Sequence, residues 1–201
     1  MFNHDPENTR DRILHGAYET IGHRGIGPTK VQHILEAAGV SRRTFYQYFR
    51  SKDDALAAVY SVVKESLIQT IAMAIVAAPK ASDKVNAGVA AYVEFQRQSG
   101  RGLMELQADA IRPDSLLAPH REDTLDAVVG VVDAAVTENI GIRCDPLVYR
   151  AVLMGIEGMV IHLQRGGNFS VSDGKRIHAA SIALIFQMLE GIENMPLAST
   201  E

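Results

Sequence analysis

Two short helical patterns of apolar residues, separated by a glycine, lie within the segment TKVQHILEAAGVSRRTFYQYFRSK at residues 29–52. The first pattern places three apolar side chains on one helical face: Val31, Ile34 and Leu35. Gly39 interrupts it, and Ser41 begins a second short helix with Phe45 and Phe49 on its apolar side. Two helices joined by a short glycine-containing turn are the outline of a helix-turn-helix, whose second helix can enter the major groove of DNA.

The polar side of the second helix carries hydrogen-bonding side chains and no acidic residue: Arg42, Arg43, Thr44, Tyr46, Gln47 and Tyr48. Arginine has the side chain best shaped for the two acceptors of guanine. A solvated surface could also carry these arginines, but here they open a short helix directly after a glycine turn and opposite two phenylalanines. The residues expected at bases or sugars are Thr44, Tyr46 and Gln47, and those expected at phosphates are Thr29, Tyr48 and Lys52. The full predicted DNA-binding set is Thr29, Lys30, Ser41, Arg42, Arg43, Thr44, Tyr46, Gln47, Tyr48 and Lys52.

The segment AAGVSRRTFYQYFRSKDDAL resembles the signature of the TetR family of transcriptional regulators. The turn, the cap, the aromatic residues and the basic residues follow the family's order over roughly residues 10–57. Beyond residue 60 the resemblance lies only in length and helical character. It implies an all-helical homodimer with an amino-terminal DNA-binding domain and a larger carboxy-terminal domain that usually binds a small molecule. One departure is Leu35, where the family usually has a small residue.

Apolar residues at helical spacing continue along the chain, and no alternating strand pattern persists, so we predict an all-α protein of about nine helices. The predicted helices cover residues 8–23, 30–37, a short stretch after 41, a long one from 51 to about 77, then 84–98, 103–111, 121–139, 146–164 and 173–192. Thr29, Ser41 and Ser51 are the expected N-caps of the second, third and fourth helices. We expect a DNA-binding domain at residues 1–52 and a ligand-binding and dimerisation domain at residues 53–201.

The charge distribution supports the same division. The whole chain has a net charge of −4, which by itself argues against a nucleic-acid partner. Residues 1–52, however, hold eight Lys and Arg against five Asp and Glu, whereas residues 53–201 hold twelve against nineteen. The basic surface is therefore concentrated at one end, as a DNA-binding domain requires, although a chance segregation would look similar.

Several other classes of protein find little support in the sequence. No uninterrupted apolar run reaches the roughly 18 residues of a membrane span, the amino terminus is polar, and the one cysteine, Cys144, forms no internal disulfide. We expect a cytoplasmic protein without a membrane partner. The seven histidines do not fall in a recognised metal-ligand spacing, and no nucleophile–base or glycine-rich phosphate motif is present. We expect no metal, no cofactor and no enzymatic activity.

The last two predicted helices combine small and apolar residues in a way that suggests a dimer interface. Gly155 and Gly158 lie inside a helix, where each costs about 1 kcal/mol relative to alanine, so a close backbone approach is expected there. The predicted interface residues are Gly155, Gly158, Ala179, Ala183 and Met188. The alternative is a helix pair within one chain. A dimer would double the contacts made by one helix-turn-helix and would match a palindromic operator.

The carboxy-terminal part also supplies apolar and a few polar side chains for a ligand cavity. The predicted lining residues are Tyr92, Phe95, Met104, Gln107, Arg112, His120, Met154, Glu157 and His162, although such residues often only fill a core. The acidic balance of this part favours a neutral or cationic hydrophobic effector, while Arg112 or His120 could still pair with an acid. We predict a transcriptional regulator, most simply a repressor, that binds operator DNA as a dimer and is released by a small hydrophobic effector. The alternatives are a constitutive DNA-binding regulator and a helical small-molecule-binding protein or enzyme.

Overall fold

The computed structural model describes residues 8–140, 145–165 and 169–193, and these residues form eight helices and no strand. The all-α prediction is confirmed. The helices are α1 (Thr9–Arg24), α2 (Val31–Ala38), α3 (Arg42–Tyr48), α4 (Lys52–Ala77), α5 (Ala81–Ala110), α6 (Ala118–Ile140), α7 (Pro146–Arg165) and α8 (Val171–Glu193).

The difference between nine expected helices and eight observed ones lies in α5. The sequence suggested separate helices on either side of Ser99 and Gly100, but the structure has one helix with a break inside it. Gly100 adopts φ 66° and ψ −156°, a conformation that glycine reaches without steric cost. The helix resumes immediately afterwards, so a break replaces the expected loop.

Most helix starts follow the expected capping chemistry. The Asn8 side chain accepts hydrogen bonds from the amides of Arg10 and Asp11 at the start of α1. The Ser51 Oγ accepts from the Asp54 amide at 3.1 Å at the start of α4. The prediction for α2 was wrong, because its N-cap is Lys30. The preceding Thr29 is buried, and its hydroxyl donates to the Gly25 carbonyl at 2.6 Å, since a threonine at that position can reach back one helical turn.

Helices α1 and α2 approach each other through a glycine. A Cβ atom on Gly16 would lie 2.8 Å from the Ala38 backbone nitrogen and 3.0 Å from the Ala38 Cβ. The apolar core beside this crossing consists of Ile13, Leu14, Ala17, Ile21, Ile34, Leu35 and Phe45. Because the atoms facing Gly16 belong to backbone and to a single methyl group, the crossing has no flexible side chain that could yield.

A second close approach joins α1 to the part of α5 after its break. The Tyr18 ring fills the space that a side chain on Gly102 would occupy. The nearest ring atom, Cζ, lies 2.7 Å from the ideal Cβ position of Gly102. The Tyr18 hydroxyl donates to the Ser99 carbonyl at 2.5 Å. Burial raises the pKa of the Tyr18 phenol, which therefore remains a hydrogen-bond donor at physiological pH.

The described residues divide into two compact units. One comprises the residues up to Thr70 together with Phe95–Ala127, and the other comprises Ile71–Glu94 together with the residues from Val128 onwards. In the second unit a core packs α5, α7 and α8 through Val89, Val93, Ile156, Val160 and Ile177. The domain boundary expected at residue 52 stays a prediction, because α4, α5 and α6 each contribute to both units.

Two of the described helices are long and apolar enough to cross a membrane, judged by length and composition: Lys52–Ala77 and Pro146–Gln164. Core helices of soluble proteins pass the same test. The helices therefore give only weak support to a membrane partner, and its absence stays a prediction.

Candidate nucleic-acid interface and interior cavity

Helix α3 presents its polar residues to solvent from a well-anchored backbone. Ser41 caps the helix as expected, with its Oγ accepting from the Thr44 amide at 3.0 Å. Phe45 and Phe49 are buried and fix the apolar side of the helix. The exposed residues on the other side are Arg42, Arg43, Tyr46, Gln47 and Tyr48. The residues proposed to read DNA thus share one surface that a partner can reach.

Three members of the predicted DNA-binding set, Thr29, Ser41 and Thr44, differ from the rest in their surroundings. Thr29 is 2 % exposed, so its side chain is part of the interior. The Thr44 hydroxyl lies 2.7 Å from the Ser41 Oγ, so these two side chains stabilise the start of α3. Lys30 is exposed at the start of α2. On α3 the structure brings together Arg42, Arg43, Tyr46, Gln47 and Tyr48. Thr29 instead packs in the interior and hydrogen-bonds the Gly25 carbonyl.

Lys52 connects the start of α4 to the loop after α1. Its Nζ donates to the Ile26 carbonyl at 3.1 Å, and the residue is half-buried. An ammonium group has three hydrogen-bond donors, so this contact leaves donors for a phosphate. The contact was not expected from the sequence, since it joins residues that are far apart along the chain.

Arg12 holds the turn of the helix-turn-helix and was missed by the sequence reasoning. Its guanidinium Nη2 donates to the Ala38 carbonyl at 3.0 Å and to the Gly39 carbonyl at 2.8 Å. Gly39 has φ 61°, the left-handed conformation that ends α2. A positive charge at the carboxy-terminal end of a helix also interacts favourably with the helix dipole. Arg12 therefore fixes the geometry between the two helices of the motif from α1.

Replacing Arg12 with methionine should destabilise this turn. Methionine keeps the aliphatic part of the side chain but removes both hydrogen bonds, so we expect the free energy of unfolding to fall by about 1–2 kcal/mol, measured by urea denaturation. Arg24→Met, on an exposed residue of the same helix, is the matched control and should have less than half this effect. Equal losses in the two variants would contradict the role of Arg12.

A cavity lies within the second compact unit and is lined by five helices. Its volume is about 940 Å³, including the part open to solvent. Eleven of its eighteen lining residues are Val or Ile, and the full lining is Ile71, Ile75, Lys84, Val85, Gly88, Val89, Tyr92, Val128, Val132, Ala135, Val136, Val148, Tyr149, Val152, Leu153, Ile156, Ile185 and Met188. The apolar walls are typical of small-molecule sites.

The residues predicted to line a ligand cavity are largely elsewhere. Of the nine, only Tyr92 belongs to this lining. Phe95, Met104, Gln107, Arg112 and His120 lie in the first compact unit, where the Arg112 guanidinium pairs with Asp114 at 2.7 Å and the His120 ring lies 6.1 Å from that of Tyr60. Met154 and His162 are exposed on α7, and Glu157 is buried there. The walls of this cavity are mainly Val and Ile, whereas Met and Phe were expected around a ligand, so the ligand-binding role of the predicted residues stays a prediction.

Helices α7 and α8 share a surface of small and apolar residues, which we call the α7–α8 face. Its exposed members are Leu147, Ala151, Met154, Gly155 and Gly158 on α7, and Ala179, Ala180, Ala183, Leu184 and Phe186 on α8. An ideal Cβ on Gly155 or Gly158 would meet nothing within 4 Å in the described part of the chain. Among the described residues, the two glycines therefore have no neighbour that would require the absence of a side chain. Met188, also predicted at the interface, lines the cavity.

Within the described ranges, no group of three or more His, Cys, Asp or Glu residues is placed to hold a metal ion. His33, for example, uses its Nδ1 to accept from the Lys30 amide at 3.2 Å at the start of α2. Cys144 lies outside the described residues.

The chain matches known proteins in two ways, through a sequence family model and through the folds of solved structures. The family model for bacterial regulatory proteins of the tetR family matches residues 13–59. The fold resembles that of the fatty acid degradation regulator FadR from Bacillus halodurans, with 18% identity, a TM-score of 0.74, and coverage of 87% of this chain and 95% of that one. FadR from Bacillus subtilis, solved in complex with stearoyl-CoA, gives 19% identity, a TM-score of 0.74, and coverage of 86% and 95%.

A third solved structure is SmeT, the repressor of the Stenotrophomonas maltophilia multidrug efflux pump SmeDEF. It shares 16% identity with a TM-score of 0.67, covering 90% of this chain and 91% of that one. At such identities the likeness of the three structures establishes the fold, while the family model covers the helix-turn-helix itself. Residues 13–59 therefore carry the sequence pattern of the bacterial regulatory proteins of the tetR family, and the chain along its length has the fold of the solved regulators.

Proposed function

We propose that the protein is a repressor that binds a palindromic operator as a homodimer and leaves it when a small hydrophobic effector enters the cavity. The observation that carries the proposal is the exposed side of α3, where Arg42, Arg43 and Gln47 stand on a capped helix whose other side is buried. Helix α3 contains no acidic residue that would repel phosphates.

The chemistry of α3 fits readout of DNA bases. Arginine can donate two parallel hydrogen bonds to O6 and N7 of guanine, and glutamine can pair in the same way with adenine. The Arg42 guanidinium lies 5.9 Å from the Tyr46 ring centroid, which limits the orientations available to it. Arg43 follows directly in the chain and is exposed, so we assign it the principal guanine contact.

The α7–α8 face supports the dimer. Its small residues allow another backbone to approach closely, and its exposed apolar side chains gain stability when covered. Phe186 is 45% exposed and Leu147 is 70% exposed, although both are large apolar residues. A symmetric pair of these faces would join two protomers and present two copies of α3 to the half-sites of a palindrome.

The cavity favours an effector-responsive regulator over a constitutive one. In one conformation of the dimer the spacing of the two recognition helices would not match the half-sites. An effector that binds this conformation more tightly than the DNA-binding one lowers the affinity for DNA, and the ratio of its two affinities limits how far. Two proteins of similar fold are FadR from Bacillus subtilis, solved in complex with stearoyl-CoA, and SmeT, the repressor of a multidrug efflux pump. Both descriptions are compatible with a hydrophobic effector in a cytoplasmic regulator. The cavity is equally compatible with the alternative of a small-molecule-binding protein, and specific DNA binding distinguishes the two.

Replacing Arg43 with alanine should weaken specific DNA binding. We would select preferred sequences from a random duplex library with the wild-type protein and measure affinities by fluorescence anisotropy. Loss of a bidentate guanine contact should cost about 1–3 kcal/mol per half-site and relax the preference at one position of each half-site.

Lys52→Ala serves as the comparison variant because Lys52 is expected to contact phosphate. It should weaken binding to all sequences alike. A plot of the logarithm of the binding constant against the logarithm of the salt concentration should become less steep by about one unit. Since Lys52 also holds the Ile26 carbonyl, its stability should be measured in parallel. Wild-type affinity and preference in both variants would remove α3 from the DNA interface.

A further inference from the structure

Two arginines lie at opposite ends of a row of aromatic rings on α3 and its C-cap. The Arg42 guanidinium lies over the Tyr46 ring at one end of the row. Tyr46 meets Phe45 edge to face at 5.4 Å between ring centroids, and Phe45 lies 5.8 Å from Phe49. At the other end the guanidinium carbon of Arg10, a residue of α1, lies 5.7 Å from the Phe49 centroid. The recognition helix is therefore accompanied by a cation that its own sequence does not supply.

Arg10 is held in place, and its charge is available to a partner. The Asn8 Oδ1 accepts a hydrogen bond from the Arg10 amide at 3.0 Å, which fixes the first turn of α1. Arg10 is exposed, whereas the Phe49 ring beneath it is buried. Among the described residues no carboxylate forms an ion pair with its guanidinium. Asp11 follows it directly in the chain but projects from α1 about 100° further round the helix.

The position of Arg10 beside α3 determines which part of a DNA duplex it can reach. A recognition helix contacts base edges mainly through its amino-terminal residues, so its other end is nearer to the sugar–phosphate backbone. Phe49 is the C-cap of α3, and Arg10 therefore lies beside that other end. A helix of seven residues is about 10 Å long and the major groove is about 12 Å wide, so a group at the end of α3 is close to the border of the groove.

We propose that Arg10 binds a phosphate of the operator backbone and extends the DNA interface from the helix-turn-helix onto α1. This inference rests on the proposed function in taking α3 as the recognition helix. Arginine suits the role because its planar guanidinium stacks on a ring with one face and donates to a phosphate from its edge. A phosphate contact positions the protein without reading the base sequence. The contact therefore forms on any duplex, and each protomer of the dimer supplies one.

The test uses the full chain and the dependence of DNA affinity on salt. Fluorescence anisotropy gives the binding constants for the selected duplex and for a scrambled duplex from about 50 to 200 mM salt. Arg10→Met keeps an aliphatic side chain over Phe49 but removes the charge. Its plot of the logarithm of the binding constant against the logarithm of the salt concentration should become less steep by about 0.9 for each protomer bound. If the plots for variant and wild type meet at about 1 M salt, binding to both duplexes is about eightfold weaker per protomer at about 0.1 M.

Two further variants separate a phosphate contact from other effects of the charge. Arg10→Lys retains a cation that can reach a phosphate, so it should restore the steepness of the wild type. Arg24 is exposed at the opposite end of α1, about 21 Å away, and Arg24→Met changes the net charge of the chain by the same amount as Arg10→Met. Arg24→Met should keep the steepness of the wild type.

Thermal unfolding is followed for all three variants, because a residue that only covers Phe49 would change stability and leave the response to salt intact. Unchanged steepness in Arg10→Met, or an equal loss in Arg24→Met, would overturn the contact. A loss that Arg10→Lys does not restore would also overturn it and assign Arg10 to the fold. A wild-type protein that binds both duplexes equally, yet depends on Arg10 for its response to salt, would contradict the operator function and leave the phosphate contact standing.

Discussion

Replacing Gly16 with valine is expected to lower the thermal midpoint of unfolding by roughly 6–12 °C. The new side chain would meet the backbone of Ala38, where even a Cβ would lie 2.8 Å from the nitrogen, so α1 and α2 must separate. Overpacking of this kind costs about 3 kcal/mol, and in a chain of 201 residues each kcal/mol shifts the midpoint by about 2–4 °C. Circular dichroism during heating measures the change, and loss of DNA binding should accompany it.

Alanine variants at two glycines should shift the thermal midpoint of unfolding in opposite directions. Glycine to alanine within an open helix position stabilises by up to about 1 kcal/mol, because alanine has the higher helix propensity. Gly130 in α6 has nothing within 4 Å of an ideal Cβ among the described residues, so Gly130→Ala should raise the midpoint. Gly16→Ala should lower it. If both variants raise the midpoint, the close crossing of α1 and α2 does not exist in solution.

Replacing Gly158 with leucine is expected to weaken the dimer about 100-fold without destabilising the protomer. Within the described part of one chain the leucine would meet open space, so it costs nothing there and even improves helix propensity. In a dimer through the α7–α8 face it would hold the two backbones apart, at a cost of about 2.7 kcal/mol. Sedimentation equilibrium over a range of protein concentrations measures the dissociation constant, and operator affinity should fall with it.

Gly130→Leu is the matched control for dimerisation. Gly130 is likewise exposed inside a long helix, but it lies outside the α7–α8 face. This variant should sediment as the wild type does. A wild-type protein that is monomeric at micromolar concentration, or a dimer weakened equally by both leucines, would exclude the α7–α8 face as the interface.

The sequence predicted those features that depend on nearby residues. Helix spacing indicated the start of α3 and both bounds of α4. Ser41 was identified as a cap because its hydroxyl reaches an amide only three residues away. Thr29 was assigned wrongly as a cap because its hydroxyl has two local alternatives, the following amides or the Gly25 carbonyl behind it. Such a choice depends on the packing around the residue, which the local sequence does not contain.

Features that join distant residues were missed for a different reason. Arg12 reaches carbonyl groups 26 and 27 residues away, and nothing in the residues around it distinguishes it from an ordinary surface arginine. The cavity was anticipated from the supply of Met and aromatic residues, yet its walls are mainly Val and Ile, which the sequence alone indicates only as core. A cavity is space that packing leaves unfilled, and periodicity records which side faces inwards but not how completely it is filled.

The hydrogen bond from Tyr18 to Ser99 determines when, during synthesis, the amino-terminal part of the chain can complete its folding. Its two residues are separated by 81 positions along the chain, and Gly102, which receives the Tyr18 ring, follows later still. At translation rates of about 5–20 residues per second, Tyr18 emerges roughly 4–16 s before the segment that covers it. During that interval the nascent helix-turn-helix exposes a tyrosine ring, so this end of the chain reaches its final packing only after more than half of the protein has been synthesised.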